Sequence, residues 1–290
     1  MKPARVPSLT STSLSITVAA PAKLNLYLEV LGRRSDGFHE LETVFQTLEL
    51  ADTVTVTVMR GAAGVTLRCS DPRLPCDAGN LAYQAAAAYL ALRPELGGLH
   101  IDLEKRIPHG AGLGGGSSDA AAVLRACRAL DPEPVPAAQL AEVALALGSD
   151  VPVFLIGGTA YARGRGELLT AMADRPARVV TVLMPDAHLP TPAVFKALTD
   201  HERGPHPVRG VAWAAAAADH ELLANRLTAP AARLCPPVAD VLAWLAGQGQ
   251  PYLMSGSGAA CFVLGTLVPT AGVRAFATAF RPRGRLDATG

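Results

Sequence analysis

Between Gly110 and Ser118 the chain reads GAGLGGGSS, five glycines and two serines in nine residues, and an alanine-rich stretch follows without a gap. Glycine lets the backbone take positive φ and approach a ligand with no side chain in the way. Consecutive free N–H groups form an anion-binding concavity. A helix starting there adds about half a positive charge at its N-terminus. Pro108–Ser118 therefore reads as a phosphate loop. Ser117, Ser118 and Asp119 suit capping of that helix or holding a phosphate-bound metal. Asp119 equally suits an N-terminal acid with no ligand role. The loop has no lysine of the GxxxxGK[ST] kind. GAGLGG fits the GxGxxG pattern, but the strand before it has a polar face. That argues for a half-exposed antiparallel sheet rather than the buried parallel strand of a dinucleotide fold. Nor does an acid end a second strand about 20 residues further on.

Transferring a phosphoryl group needs positioning, charge neutralisation and a group that orients or deprotonates the acceptor hydroxyl. An acid at a helix start beside a cation suits the last role. Asp150 in LGSDVPVF and Lys23 in PAKLNLYL are the candidates. Taken singly, Asp150 also fits an N-cap and Lys23 an exposed strand lysine. RRSDGFHELET turns at Asp36–Gly37 and leaves Phe38 and His39 exposed just after. An aromatic beside a histidine can stack on a planar base and hydrogen bond its edge, or simply form a surface loop. Phe195, after the proline-fixed turn of LPTPAVFKAL, is a second aromatic, and alone it is ordinary helix-start packing. MSGSGAACF (Met254–Phe262) is a second small-residue loop. Lys105 and Arg106 are an isolated basic pair and read as solvated surface.

These residues need strands and helices to hold them. Ser15–Leu31 reads as two strands broken at Pro21. Leu24, Leu26, Leu28 and Val30 alternate with Lys23, Asn25, Tyr27 and Glu29, so Lys23 and Asn25 share the face opposite the leucines. Thr53–Met59 and Leu99–Lys105 alternate as well, with Leu99, Ile101 and Leu103 inward. Asn80 caps a helix LAYQAAAAYLAL. A second helix begins near Ser118, with Ala120, Val123, Cys127 and Leu130 at helical spacing, and Asp131–Pro132 ends it. Ala137–Leu147 is a third, ended by Gly148. Ser149 or Asp150 caps a short helix or turn after it. Ala162–Glu167, rich in glycine and arginine, lies between two halves. The second half has a strand Val179–Met184, helices near Trp213–Leu223 and Val238–Leu245, strands YLM and CFVL, and a closing helix TAGVRAFATAF. The fold class is α+β in two domains, residues 1–165 and 166–290.

The chain has 290 residues, enough for one large domain or two ordinary ones. A net charge of +1 with scattered Lys and Arg gives no argument for a nucleic-acid partner. Five cysteines without CxxC spacing disfavour a disulfide framework or a zinc site and suit a reducing cytoplasm. No run of about 18 strongly apolar residues marks a membrane span. Residues 1–15 lack an apolar core for a secretory signal and read as a disordered tail.

Several motifs then converge. PHGAGLGGGSS resembles the phosphate loop of the GHMP kinases, P-x-x-x-G-L-G-G-G-S-S or a near relative. PAKLNLYLEVLGRRSDGFHELETVFQTLEL, GSDVPVFLIGGTAYARGRGE, PTPAVF and MSGSGAACFVL follow in the order of one branch of that family, from about Ala20 onward. That branch phosphorylates the 2-hydroxyl of 4-diphosphocytidyl-2-C-methyl-D-erythritol in the non-mevalonate route to isoprenoids. The resemblance implies an N-terminal domain like ribosomal protein S5 domain 2 and a ferredoxin-like C-terminal domain, with the site between them. It implies ATP with its phosphates on Pro108, His109, Gly110, Ala111, Gly112, Leu113, Gly114, Gly115, Gly116, Ser117 and Ser118, together with Mg²⁺ whose protein ligands it does not give. Asp150 matches the catalytic aspartate and Lys23 its paired lysine. Asn25 and Thr191 match substrate contacts, Phe38 and Phe195 the aromatics that sandwich cytosine, and His39 the residue that bonds the cytosine edge. Where this branch usually has Tyr, the chain has Phe38, which keeps the stacking and loses a hydroxyl. The implied partner is a small molecule, with neither nucleic acid nor membrane, in a monomer or weak homodimer. A GHMP kinase for homoserine or mevalonate would have no use for the Phe38–His39 pair, and a non-catalytic nucleotide binder would lack Lys23 or Asp150.

Overall fold

The computed structural model describes residues 14–269 and 272–285. The expected N-terminal tail lies outside these residues except for its last two. Two long strands, β1 (Leu14–Arg33) and β2 (His39–Met59), pair antiparallel along nearly their whole length. With β3 (Val65–Cys69), β4 (Gly98–Glu104) and the two-residue β8 (Ala224–Asn225) they give the order β3-β4-β2-β1-β8. A hairpin of β5 (Thr159–Gly164) and β6 (Leu168–Ala171) joins the far end of β2. The alternation explains the pairing. Val54, Val56 and Val58 lie opposite Leu103, Ile101 and Leu99 and are buried, while the threonines between them face outward. Against this inner face pack α1 (Leu81–Leu92), α2 (Gly115–Leu130), α3 (Ala137–Leu147) and α4 (Val151–Ile156). Each large apolar side chain so buried contributes about 1.5–3 kcal/mol.

The second sheet is antiparallel, in the order β11-β7-β10-β9, from β7 (Val179–Met184), β9 (Tyr252–Met254), β10 (Cys261–Val263) and β11 (Arg274–Ala279). Its one face, with Leu183, Cys261 and Val263, packs on α9 (Thr228–Leu234) and α10 (Pro236–Ala246). Its other face, with Val180, Val182 and Phe262, meets Leu24 and Leu26 of β1. Short helices α5 (Thr191–Lys196), α6 (Asp200–Arg203), α7 (Gly210–Ala216) and α8 (Asp219–Leu222) connect the two layers. Strand β1 thus supplies all three apolar clusters: Val18 and Ala20 to the first, Leu24 and Leu26 to the second, Leu28 and Val30 to the third.

Several expectations need correction. Pro21 does not break the strand: β1 runs on through a bulge between Pro21 and Lys23, and a proline is tolerated beside a bulge. Helix α2 starts at Gly115, not near Ser118. The expected closing helix is strand β11 over its described part; Thr270 and Ala271 lie outside the described residues. Its alanines favour a helix, but the open edge of β7 offers a full antiparallel ladder, and tertiary context overrides propensity. Trp213–Leu223 forms two short helices that part at Ala217. Ala162–Glu167 ends β5 and turns into β6, so residue 165 falls in a hairpin turn and the second sheet begins only at β7.

Candidate active site

Lys23 lies where β1 passes beneath the glycine loop. Its side chain is buried, its Nζ donates to Asn25 Oδ1 at 2.6 Å, and it stands 3.7 Å from Asp150 Oδ2. Its main-chain N–H donates to Leu113 O at 3.0 Å, which fastens the loop to the strand. Burial pulls the Lys23 ammonium below the usual lysine range, and the charge of Asp150 opposes that pull. Asn25 in turn donates from Nδ2 to Thr43 Oγ1 at 2.8 Å, which holds its oxygen toward Lys23. Asp150 occupies the position before α4, yet its side chain caps nothing. The carboxylate, 37% exposed, is left for Lys23 and for a ligand. So the strand-surface reading of Lys23 and the capping reading of Asp150 both fail, and the pair expected from the sequence is present.

The loop itself has the geometry of an anion nest. Gly110, Gly112 and Gly114 all take positive φ, +68°, +74° and +73°. At Gly112 a Cβ would meet the Ser255 and Gly258 carbonyl oxygens at 2.7 and 2.8 Å, so a second loop closes against the first. Ala260 N–H donates to Ala111 O at 3.1 Å across this seam. Asn225 Nδ2 donates to Met254 O and Gly256 O at 2.8 and 2.7 Å and fixes the second loop. Residues Pro108 to Ser117 line a cavity of about 280 Å³ at the start of α2. Ser118 does not line it; it is buried, and its Oγ has no partner among the described residues.

Lys105 also lines that cavity, which corrects its reading as solvated surface. Its Nζ lies 2.5 Å from Asp52 Oδ2 and 2.6 Å from Asp119 Oδ2, all three side chains being buried. Asp52 Oδ1 also accepts from Ile107 N at 2.8 Å and from Arg106 N. Burial lowers the Lys105 pKa, but the charges of Asp119 and Asp52 outweigh it and hold the ammonium above the usual lysine range. Lys105, next to Gly115, is thus a buried ion-pair partner whose charge is already matched by two carboxylates. The signal for it was available. Leu99, Ile101 and Leu103 alternate inward, and the same period places Lys105 inward too. Asp52 carried the same signal, because the period of Val54, Val56 and Val58 places it inward as well.

On the acceptor side, the Asp36–Gly37 turn is as expected: Asp36 Oδ1 accepts from Phe38 N at 3.1 Å, and Gly37 has φ +86°. Phe38 is 53% exposed. Phe38, His39, Thr191 and Phe195 meet in one cavity of about 490 Å³. The His39 ring stacks on Phe195, with centroids 4.9 Å apart, and its Nε2 is buried without a partner among the described residues. Burial and the charges of Arg203 and Arg33 lower its pKa, which favours the neutral ring, one nitrogen donating and the other accepting. A second cavity of about 320 Å³ lies beside the first, lined by Lys23, Asn25, Asp150, Gly112, Gly114 and Ser257 among others. Thr191 Oγ1 lies 2.7 Å from Ser257 Oγ at its border. Leu41, Arg165, Thr191 and Phe195 line both cavities.

Similarity to known proteins fits this geometry. The family description "GHMP kinases N terminal domain" matches residues 80–158. The 4-diphosphocytidyl-2-C-methyl-D-erythritol kinase of Thermus thermophilus is 44% identical over 247 residues, 84% of this chain and 86% of the relative. That of a Polaromonas species is 42% identical over 257 residues, 85% of this chain and 82% of the relative. A crystal structure of 4-(cytidine 5'-diphospho)-2C-methyl-D-erythritol kinase aligns with a TM-score of 0.77 at 41% identity, covering 92% of this chain and all of the other. A homoserine kinase from Cytophaga hutchinsonii aligns with a TM-score of 0.70 at 20% identity over 96% of this chain and 99% of the other, a likeness of fold alone.

Proposed function

This chain belongs to the 4-diphosphocytidyl-2-C-methyl-D-erythritol kinases of the GHMP kinase family, and from that premise we propose how its own residues carry out the transfer. It is an ATP-dependent phosphotransferase of isoprenoid precursor synthesis. The backbone N–H groups of Gly110–Gly116 and the N-terminus of α2 hold the triphosphate. Mg²⁺, when bound, neutralises charge on the phosphates, and the hydroxyl of Ser117, a hard oxygen lining that cavity, would hold it.

Asp150 orients the acceptor 2-hydroxyl and takes its proton. Lys23 keeps that carboxylate ionised, and Asn25 holds Lys23. Phe38 and Phe195 enclose the cytosine, His39 bonds its edge through the free Nε2, and Thr191 lies between base and alcohol. The halves before and after residue 165 form the walls of the cleft. The first carries Lys23, Asp150 and the glycine loop, and the second Thr191, Phe195 and the loop from Met254 to Phe262. A cytoplasmic setting without a nucleic-acid partner belongs to the same proposal. Among the described residues no helix is long and apolar enough to cross a membrane.

The observation that carries this reading is the Lys23–Asp150 pair, 3.7 Å apart on one side of the phosphate loop. The test is a phosphoryl-transfer assay with ATP, Mg²⁺ and the cytidylyl acceptor, with homoserine and mevalonate as controls. We expect turnover with the cytidylyl acceptor alone. Asp150→Asn should lower kcat by about 10²–10⁴-fold while both substrates still bind. Turnover within a few-fold of the unaltered protein would remove Asp150 from the proton-transfer role.

A further inference from the structure

The two cavities raise a question that the assigned roles leave open: what holds the middle of the acceptor? Base and alcohol sit at opposite ends of that molecule, joined by a diphosphate. A substrate lying in both cavities must cross the rim that they share. Four residues line both sides of that rim, Leu41, Arg165, Thr191 and Phe195, and Arg165 is the one cation among them. It stands in the turn between β5 and β6, between Gly164 and Gly166, both at positive φ. Its guanidinium carbon lies 4.8 Å from the centroid of the Phe38 ring. The nearest acid, Glu167, is 4.0 Å from Nε, and the guanidinium makes no hydrogen bond among the described residues. By contrast, Arg203, which lines the base cavity, is already committed to Asp200 and to the Lys196 carbonyl.

We infer that Arg165 binds the diphosphate of the acceptor and so measures the distance between base and alcohol. A guanidinium presents a planar fork of N–H donors that matches phosphate oxygens, and stacking on an aromatic face leaves the edge of that fork free. Phe38 then has two neighbours, the cytosine on the cavity side and Arg165 over its ring. This ring has no hydroxyl with which to reach a phosphate, so the adjacent cation supplies the polar contact in this region. The inference rests on the proposed cytidylyl acceptor.

The test measures binding of cytidine and of CDP by calorimetry, with a non-hydrolysable ATP analogue filling the other site. The unaltered protein should prefer CDP over cytidine by about tenfold or more. Arg165→Gln keeps a planar group over Phe38 and removes the charge. It should lower CDP affinity about tenfold, leave cytidine within a few-fold, and raise the acceptor KM with kcat and the ATP KM nearly unchanged. Arg165→Ala should do the same. If both variants lose cytidine and CDP in equal proportion, Arg165 only props Phe38 and the inference is wrong. It is also wrong if the unaltered protein shows no preference for CDP. Should the unaltered protein bind neither probe and leave the cytidylyl acceptor unreacted, the functional reading itself falls, and Arg165 with it.

Discussion

Lys105 lies beside the phosphate loop, buried between two carboxylates. An ion cluster of this kind adds little net stability over an apolar replacement, but removing one member leaves the others charged and unpaired. Lys105→Ala should therefore destabilise the protein by about 3–5 kcal/mol, and adding Asp119→Asn should restore part of the loss. Urea denaturation of the single and double variants measures this, and a purely additive double variant would contradict the coupling. At this scale the sequence was readable where a period or a motif reached. Lys23, Asn25, Asp150 and the glycine loop lie together as their spacing and family resemblance implied. Lys105 has the inward period, yet an isolated lysine suggests surface. The stacking of His39 on Phe195 joins residues 156 positions apart, and no local pattern encodes such a contact.

At the level of elements, long periodic segments were legible and short or edge segments were not. Helix α3 begins and ends where its alanine pattern and Gly148 place it, whereas the six residues of β11, three of them alanine, say little without their neighbour β7. Short helices depend on ties of the kind that joins α6 to α9. Arg233 donates to both oxygens of Glu202 at 2.8 and 2.7 Å, and Glu202 completes a capping box with Thr199. The Arg233 bond and the box outweigh partial burial and hold the Glu202 carboxyl down at about 2. A depressed acid stabilises the fold above its unfolded pKa, and that stability is lost as pH falls from about 4.5 toward 2. Glu202→Gln should accordingly flatten the acid side of a plot of Tm against pH and leave its slope near neutrality unchanged. An identical acid limb in the variant would mean that the pair does not differ between folded and unfolded chains.

For the whole molecule, the decisive element is β1, whose side chains enter all three apolar clusters. The two sheets cannot lose their cores one at a time while this strand stays intact. Thermal unfolding should appear as a single calorimetric transition, with van't Hoff and calorimetric enthalpies in agreement. Two resolved transitions would show that the halves melt separately. The same feature limits what a sequence can disclose. Both faces of β1 are buried from Ala20 to Leu28, so its alternation no longer separates core from surface, and Lys23 looks like an ordinary exposed lysine until the second sheet is in place.

The seam between the two small-residue loops carries a consequence of its own. The amide of Ala260, at the entrance to β10, is protected from solvent by one bond to the carbonyl of Ala111 in the phosphate loop. Whatever steadies the loop must therefore slow hydrogen exchange at Ala260, although this residue lines neither the phosphate cavity nor the acceptor cavities. Nucleotide added without acceptor should leave its isotopic trace on the far sheet, a signature of occupancy that can be read by mass spectrometry before any phosphoryl group has moved.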